Sequence, residues 1–259
     1  METKPRTRVV LLGASNLTLA FPLVVGELRS RLRAPIDLVA ALGHGRSYGT
    51  SSTVLFRELP GIDECGLWST LEQADSPDTL ALLTDLGNDI AYGREVAEIT
   101  AWIERCLARL AAAGARTTLV RMPIEVMEEI GELRFKVAKG IIFPGRKIDL
   151  ETVRTRVRTL DRDVLAIARD RSLTVVEQPA SWFGLDPIHI LRSRREQAWR
   201  TILTALVPGK DPVPHRRLSW ADRRILRHAR PQWRRHFGRE QRRGQPSAEL
   251  LDGTTISLY

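Results

Sequence analysis

Three side chains in this sequence are of the types that together turn a hydroxyl into a nucleophile: Ser15 in "VVLLGASNLT", and Asp186 and His189 in "SWFGLDPIHI". A serine hydroxyl attacks a carbonyl only when a base removes its proton, and imidazole is the side chain suited to that near neutral pH. Asp186, three residues before His189, can accept a hydrogen bond from the other ring nitrogen and fix the tautomer. The tetrahedral intermediate of acyl transfer then needs donors aimed at its oxygen. The backbone N–H groups of Ser15 and Gly45, with the side-chain amide of Asn88, would supply three. A second reading of Ser15 makes it a turn residue only, because glycine relieves backbone strain and Ser or Asn caps a helix wherever a strand gives way to one.

Residues so far apart in the chain can cooperate only if separate strands deliver them to one place. Short apolar, β-prone runs at Arg8–Leu12, Ile36–Ala41, Thr79–Thr84, Thr117–Arg121 and Leu173–Val176 alternate with helix-period segments at Thr18–Leu32, Arg94–Ala113, Glu151–Arg171 and Ser193–Leu206. In the clearest helix, Val96, Ile99, Ile103, Leu107 and Leu110 fall on one face and Gly114 follows as a stop. Such alternation predicts a three-layer α/β fold: a five-stranded parallel sheet covered by helices on both faces. Functional groups of these sheets gather beyond the carboxyl ends of the strands. Four loops arrive there, "GASN", "ALGHGRSYG", "TDLGNDIAYG" and "SWFGLDPIHI".

In order, Gly13-Ala14-Ser15, Gly45 in "GHGRS", Gly87-Asn88-Asp89 and Asp186-Pro187-Ile188-His189 resemble the four blocks of the SGNH (GDSL-type) hydrolases. The resemblance spans residues 8–206 and implies a flavodoxin-like α/β/α sandwich that hydrolyses acyl esters. It makes Ser15 the nucleophile, His189 the base, Asp186 its orienting partner, and Gly45 and Asn88 oxyanion donors beside the Ser15 N–H. The choice of Gly45 over Gly43 or Gly49 rests on the small polar residues that follow it. This chain departs from the family pattern in three places: Ala14 stands where aspartate is usual, Asn16 where leucine is, and Leu86 where glycine is, with Gly87 beside the asparagine instead. The same site could pass the acyl group to another hydroxyl as an O-acyltransferase, and a degenerate core working as a scaffold is the reading from another class.

Charge divides the chain at Pro208. From there to Tyr259, twelve Lys and Arg stand against five Asp and Glu, a net of +7 out of +9 for the whole chain. Residues 1–207 therefore read as the catalytic domain and 208–259 as a basic C-terminal extension. In that extension Trp220, Ile225, Leu226, Ala229, Trp233 and Phe237 recur at loose helical spacing, interrupted by Pro231. The readings for it are a solvated or partly disordered tail, a contact with an anionic surface (membrane or nucleic acid), or docking onto the body or a second subunit. A second exception to the alternation, Glu125–Asp149 with "KGIIFPGRKID", reads as an inserted loop near the substrate.

Other chemistries find little support. Cys65 and Cys106 have no metal-ligand spacing and read as reduced thiols, in keeping with a cytoplasmic protein. Asp75, Asp78 and Asp85 lack metal-loop spacing, and no phosphate-loop or dinucleotide fingerprint is present, so neither metal nor cofactor is expected. Apolar stretches are too short or too polar to span a bilayer. His44 reads as a solvated loop histidine, Asp89 as an acceptor for nearby backbone N–H groups, and His215, His228 and His236 as part of the basic segment.

Overall fold

The structure, a computed structural model, describes residues 7–33, 35–72, 78–132, 135, 149–209 and 218–259. Among these the strands are β1 (Arg8–Leu12), β2 (Asp37–Ala41), β3 (Ser52–Val54), β4 (Arg57–Leu59), β5 (Thr79–Leu83), β6 (Arg116–Val120), β7 (Thr174–Val176), β8 (Trp233–His236), β9 (Arg239–Arg242), β10 (Ala248–Glu249) and β11 (Thr255–Leu258). The helices are α1 (Ser15–Leu32), α2 (Leu67–Glu72), α3 (Asn88–Ala91), α4 (Val96–Ala112), α5 (Ile124–Glu129), α6 (Leu150–Asp170), α7 (Arg195–Leu206) and α8 (Trp220–His228).

The five expected strands form the sheet core in the order β2-β1-β5-β6-β7, all parallel. Two more widen it to seven among the described residues: β11 pairs parallel with β2, and β10 pairs antiparallel on β11. Every residue of β1 and β5 is buried, as continuous apolar runs covered on both faces must be. Val10 and Leu12 pack into one core with α4 and α6, while Val9 and Leu11 pack into the other with α1 and α7. The helices begin where local chemistry lets them. Asp149 caps α6 by accepting the Thr152 N–H at 2.8 Å, and Glu95 and Glu98 form a reciprocal capping box at α4. Among the described residues no helix is long and apolar enough to cross a membrane.

For the described part of the C-terminal segment the structure takes the docking reading. Its described part is folded into the body rather than extended from it. The helical spacing of Trp220–Phe237 resolves into two elements, α8 and β8, because Pro231 cannot continue a helix. Then β8 and β9 join β3 and β4 in a second, antiparallel four-stranded sheet. Phe56 and Phe237, at the tips of the two hairpins, stack with ring centroids 5.1 Å apart. Of the expected inserted loop, residues up to 132, residue 135 and residue 149 are described, and 133–134 and 136–148 lie outside the described residues.

Candidate active site

The loops that position the site leave adjacent strands at one edge. α1 starts at Ser15, directly after β1, so the Ser15 side chain sits in a first helical turn whose N–H groups have no partner within the helix. Asp85, just beyond the neighbouring β5, supplies the acceptor. Ala14 N–H donates to its Oδ2 at 2.7 Å and Leu17 N–H to the same oxygen at 3.4 Å. Asn16 extends this tie to a third loop. Its amide donates to Asp85 Oδ1 and to the Ile188 carbonyl, both at 2.9 Å, and its own oxygen accepts the Ile190 N–H at 2.9 Å.

That third loop carries the imidazole. An antiparallel bridge between Phe183 and Ile190, with Leu191 N–H bonded to Trp182 O at 2.9 Å, closes it into a turn. Inside the turn Asp186 Oδ1 accepts the N–H groups of Ile188 and His189 at 2.9 and 3.2 Å, while Oδ2 lies 2.6 Å from His189 Nδ1. His189 Nε2 stands 2.9 Å from Ser15 Oγ. Ser15 is 5% exposed, so its hydroxyl meets the imidazole largely shielded from water.

The hydrogen bond to Asp186 raises the His189 pKa above its ordinary value against the opposing effect of burial, and the charge of Asp85 adds to the rise. Asp186 itself is pushed up by burial, but the hydrogen bonds from His189 and Ile188 outweigh this and hold it below the usual carboxylate value. Burial raises Asp85, partly offset by its bonds from Asn16, Ala14 and Leu17. The imidazole is thus a strengthened base between two carboxylates.

Gly45 and Asn88 arrive together from β2 and β5. The Tyr92 hydroxyl donates to the Gly45 carbonyl, and Asn88 Nδ2 donates to the Arg46 carbonyl at 3.3 Å. A side chain at Gly45 would not fit: φ is +60°, and a Cβ would lie 2.7 Å from Val54 Cγ2 and 2.8 Å from the Tyr92 hydroxyl. Asp89 holds the rest of this loop through the Ser47 hydroxyl and, at 2.8 Å, the Tyr48 N–H. The buried Arg46 ties it to the carbonyls of Leu42, Pro60 and Tyr259. His44 differs from the expected solvated residue: it is half-buried, and its pKa is lowered first by burial, then by the charges of Arg57 and His189.

A cavity of about 110 Å³ opens beside these loops, lined by Asn16, Asp85, Asn88 and Ile188 together with apolar side chains such as Met122, Val153 and Val157. Among the described residues no group of three or more His, Cys, Asp or Glu forms a metal-ion cluster.

Asp85 and Asn16 are the two site residues that carry no role in the sequence reading. β1 and β5 pair with Leu12 opposite Leu83, and the same offset carried two residues further sets Ala14 opposite Asp85. A carboxylate just past the adjacent strand thus reaches position 14, and the amide at 16 bonds it. Leu86 is buried in the core, and a Cβ at Gly87 would lie 3.0 Å from Met122 Sδ. The pairing of positions 14 and 85 is visible in the sequence once the register of the two strands is known.

No protein-family model and no curated protein matches the sequence. Solved structures do. The chain is 15% identical to a carbohydrate acetylesterase family member from Sinorhizobium meliloti, over 77% of this chain and 99% of that one, with a TM-score of 0.50. It is also similar to the native aryl esterase of M. smegmatis (15% identity, 76% and 96% coverage, TM-score 0.49) and to a GDSL-like lipase from Bacteroides thetaiotaomicron (11%, 77% and 87%, 0.48). The likeness is one of fold, the α/β/α architecture expected from the four blocks.

Proposed function

We propose that this protein is a serine esterase that works through an acyl-enzyme. The observation that carries the reading is the continuous chain Ser15 Oγ to His189 Nε2 at 2.9 Å and His189 Nδ1 to Asp186 Oδ2 at 2.6 Å. In this reading Ser15 attacks the ester carbonyl as its proton passes to Nε2, and the imidazolium so formed is held by Asp186. Charge on the carbonyl oxygen is met by the N–H groups of Ser15 and Gly45 and by the Asn88 amide, whose second N–H remains available beside the one bound to Arg46. His189 then returns the proton to the leaving alcohol, and water repeats the sequence to release the acid. The apolar cavity beside Asn88 and Ile188 suits the acyl chain. The fold shared with a carbohydrate acetylesterase family member is consistent with ester chemistry.

The test is Ser15→Ala, which should abolish turnover of p-nitrophenyl acetate and labelling by a fluorophosphonate probe while the circular dichroism spectrum is kept. Undiminished turnover in that variant would overturn the reading. Product analysis in the presence of hydroxyl acceptors separates hydrolysis from acyl transfer at the same serine.

A further inference from the structure

A second cavity, of about 430 Å³, lies between α1, α8 and the four-stranded sheet, and five arginines line it: Arg57, Arg223, Arg227, Arg230 and Arg234. The fold converges them deliberately. Arg223, Leu226, Arg227 and Arg230 follow at helical spacing along α8 and the residues after it, facing Thr18, Phe21 and Pro22 of α1. Arg57 and Leu59 of β4 and Arg234 of β8 form the opposite wall. Arg57, Arg230 and Arg234 are half-buried, and Arg223 and Arg227 are exposed.

Among the described residues no Asp or Glu lines this cavity, and none of the five arginines pairs with an Asp or Glu carboxylate. The carboxylates nearby in sequence are taken elsewhere: Glu58 by Arg235 at 3.0 Å and Asp222 by Arg29 at 3.1 Å. Arg223, Arg230 and Arg234 spend donors on Leu218 O, on the carbonyls of Arg227 and Ala229, and on Gln241 Oε1, which orients their guanidinium groups without neutralising them. Burial lowers the pKa of Arg57 and of Arg234, and for Arg234 the charges of Arg230 and Arg57 add to it, as like charges crowded in a concave site must. Such a cavity focuses positive potential.

The cavity is built on elements that also carry the proposed esterase site. Thr18 is one helical turn past Ser15 and bonds the Ala14 carbonyl at 2.6 Å, Leu42 leads into the Gly45 loop, and the charges of both Arg57 and His189 reach His44. The apolar cavity lies beside Asn88 and Ile188 and does not share these walls.

We propose that the arginine-lined cavity binds a phosphate group on the alcohol part of the substrate, so that the preferred substrate is an acyl ester of a phosphorylated alcohol. This rests on the esterase reading. Guanidinium groups pair with phosphate oxygens in a bidentate fork, and a phosphate monoester offers three acceptor oxygens and up to two charges to this set, where a carboxylate offers two oxygens and one. The phosphate could belong to a soluble metabolite or to a lipid headgroup, and the chemistry of recognition is the same.

The test compares hydrolysis of neutral p-nitrophenyl butyrate with that of monobutyryl glycerol 3-phosphate, and, as the lipid arm, 1-oleoyl glycerol 3-phosphate in phosphatidylcholine vesicles. Wild-type protein should show the higher kcat/KM on a phosphorylated ester, and Arg57→Gln and Arg234→Gln should each lower the phosphorylated-to-neutral ratio by about tenfold or more, as loss of one charge-assisted hydrogen bond implies. Preference for the vesicle arm alone assigns the phosphate to lipid, and preference for the soluble ester alone assigns it to a metabolite. A ratio unchanged within about twofold in both variants overturns the proposal. Calorimetric binding of pyrophosphate to the Ser15→Ala protein reads the cavity without catalysis: binding lost in Arg57→Gln supports the site even if the esterase reading fails, and no binding to the parent protein overturns it.

Discussion

Asp85 stands opposite Ala14 at the register that pairs β1 with β5, and its carboxylate takes the Ala14 N–H at 2.7 Å. Three donors, Ala14 N–H, Leu17 N–H and the Asn16 amide, converge on this one group. Asn16 in turn holds Ile188 and Ile190, which flank His189. The spacing between Ser15 and His189 is therefore set by a carboxylate that touches neither of them in a hydrogen bond.

Asp85→Ala should lower both stability and turnover. It leaves the Ala14 N–H without its acceptor in a largely buried turn and places alanine at φ +60°, a conformation L side chains other than Asn and Asp adopt with strain. The expected cost is about 1–3 kcal/mol in thermal or urea unfolding, with kcat reduced by about tenfold or more because the variant disturbs the alignment of Ser15 with His189. Asp85→Asn, which keeps an acceptor oxygen and tolerates the backbone, should recover most of the stability. An Ala variant with wild-type unfolding and kcat would show that the carboxylate positions nothing.

The pH profile follows from His189. As the base it must be neutral, and its pKa lies above the ordinary histidine value because Asp186 favours the charged form. The acid limb of kcat/KM should therefore have its midpoint above about 6.5, with activity rising as pH rises through it. In Asp186→Asn the carbonyl oxygen can still accept the Ile188 N–H, but an amide N–H facing Nδ1 forces the proton onto Nε2, toward Ser15. The limb should move to lower pH while kcat falls by roughly 10²- to 10⁴-fold. A limb unmoved by this substitution would mean that another group titrates there.

How much of this was readable in the sequence depends on whether a signal is local. The apolar runs of β1 and β5 and the single buried face of α4 each announce their element within one stretch of chain, and so do the serine, imidazole and carboxylate as residue types. Asp85 and Asn16 do not, because their role exists only in the register between two strands and in the approach of a loop 172 residues away. The C-terminal strands escaped for a different reason: β9 reads Arg-Glu-Gln-Arg, is exposed throughout, and has none of the alternation that marks a half-buried strand. β10 and β11 are short, and β11 gains its place only by pairing with β2.

That pairing gives the last expectation. Removing residues 208–259 would strip β11 from β2, with Ile256 fully buried and Leu226 and Leu250 in the same core as α1, and would take away half of the four-stranded sheet. An exposed edge on β2 and an uncovered apolar face should leave the truncated chain aggregating or binding hydrophobic dye, without esterase activity. The single change Ile256→Ala isolates the same contact in the full chain and should cost about 2–5 kcal/mol, read as a lowered unfolding midpoint. The basic segment then behaves as part of one cooperative unit with the catalytic core. A truncated protein that stays soluble, folded and active would instead make it a separable appendage.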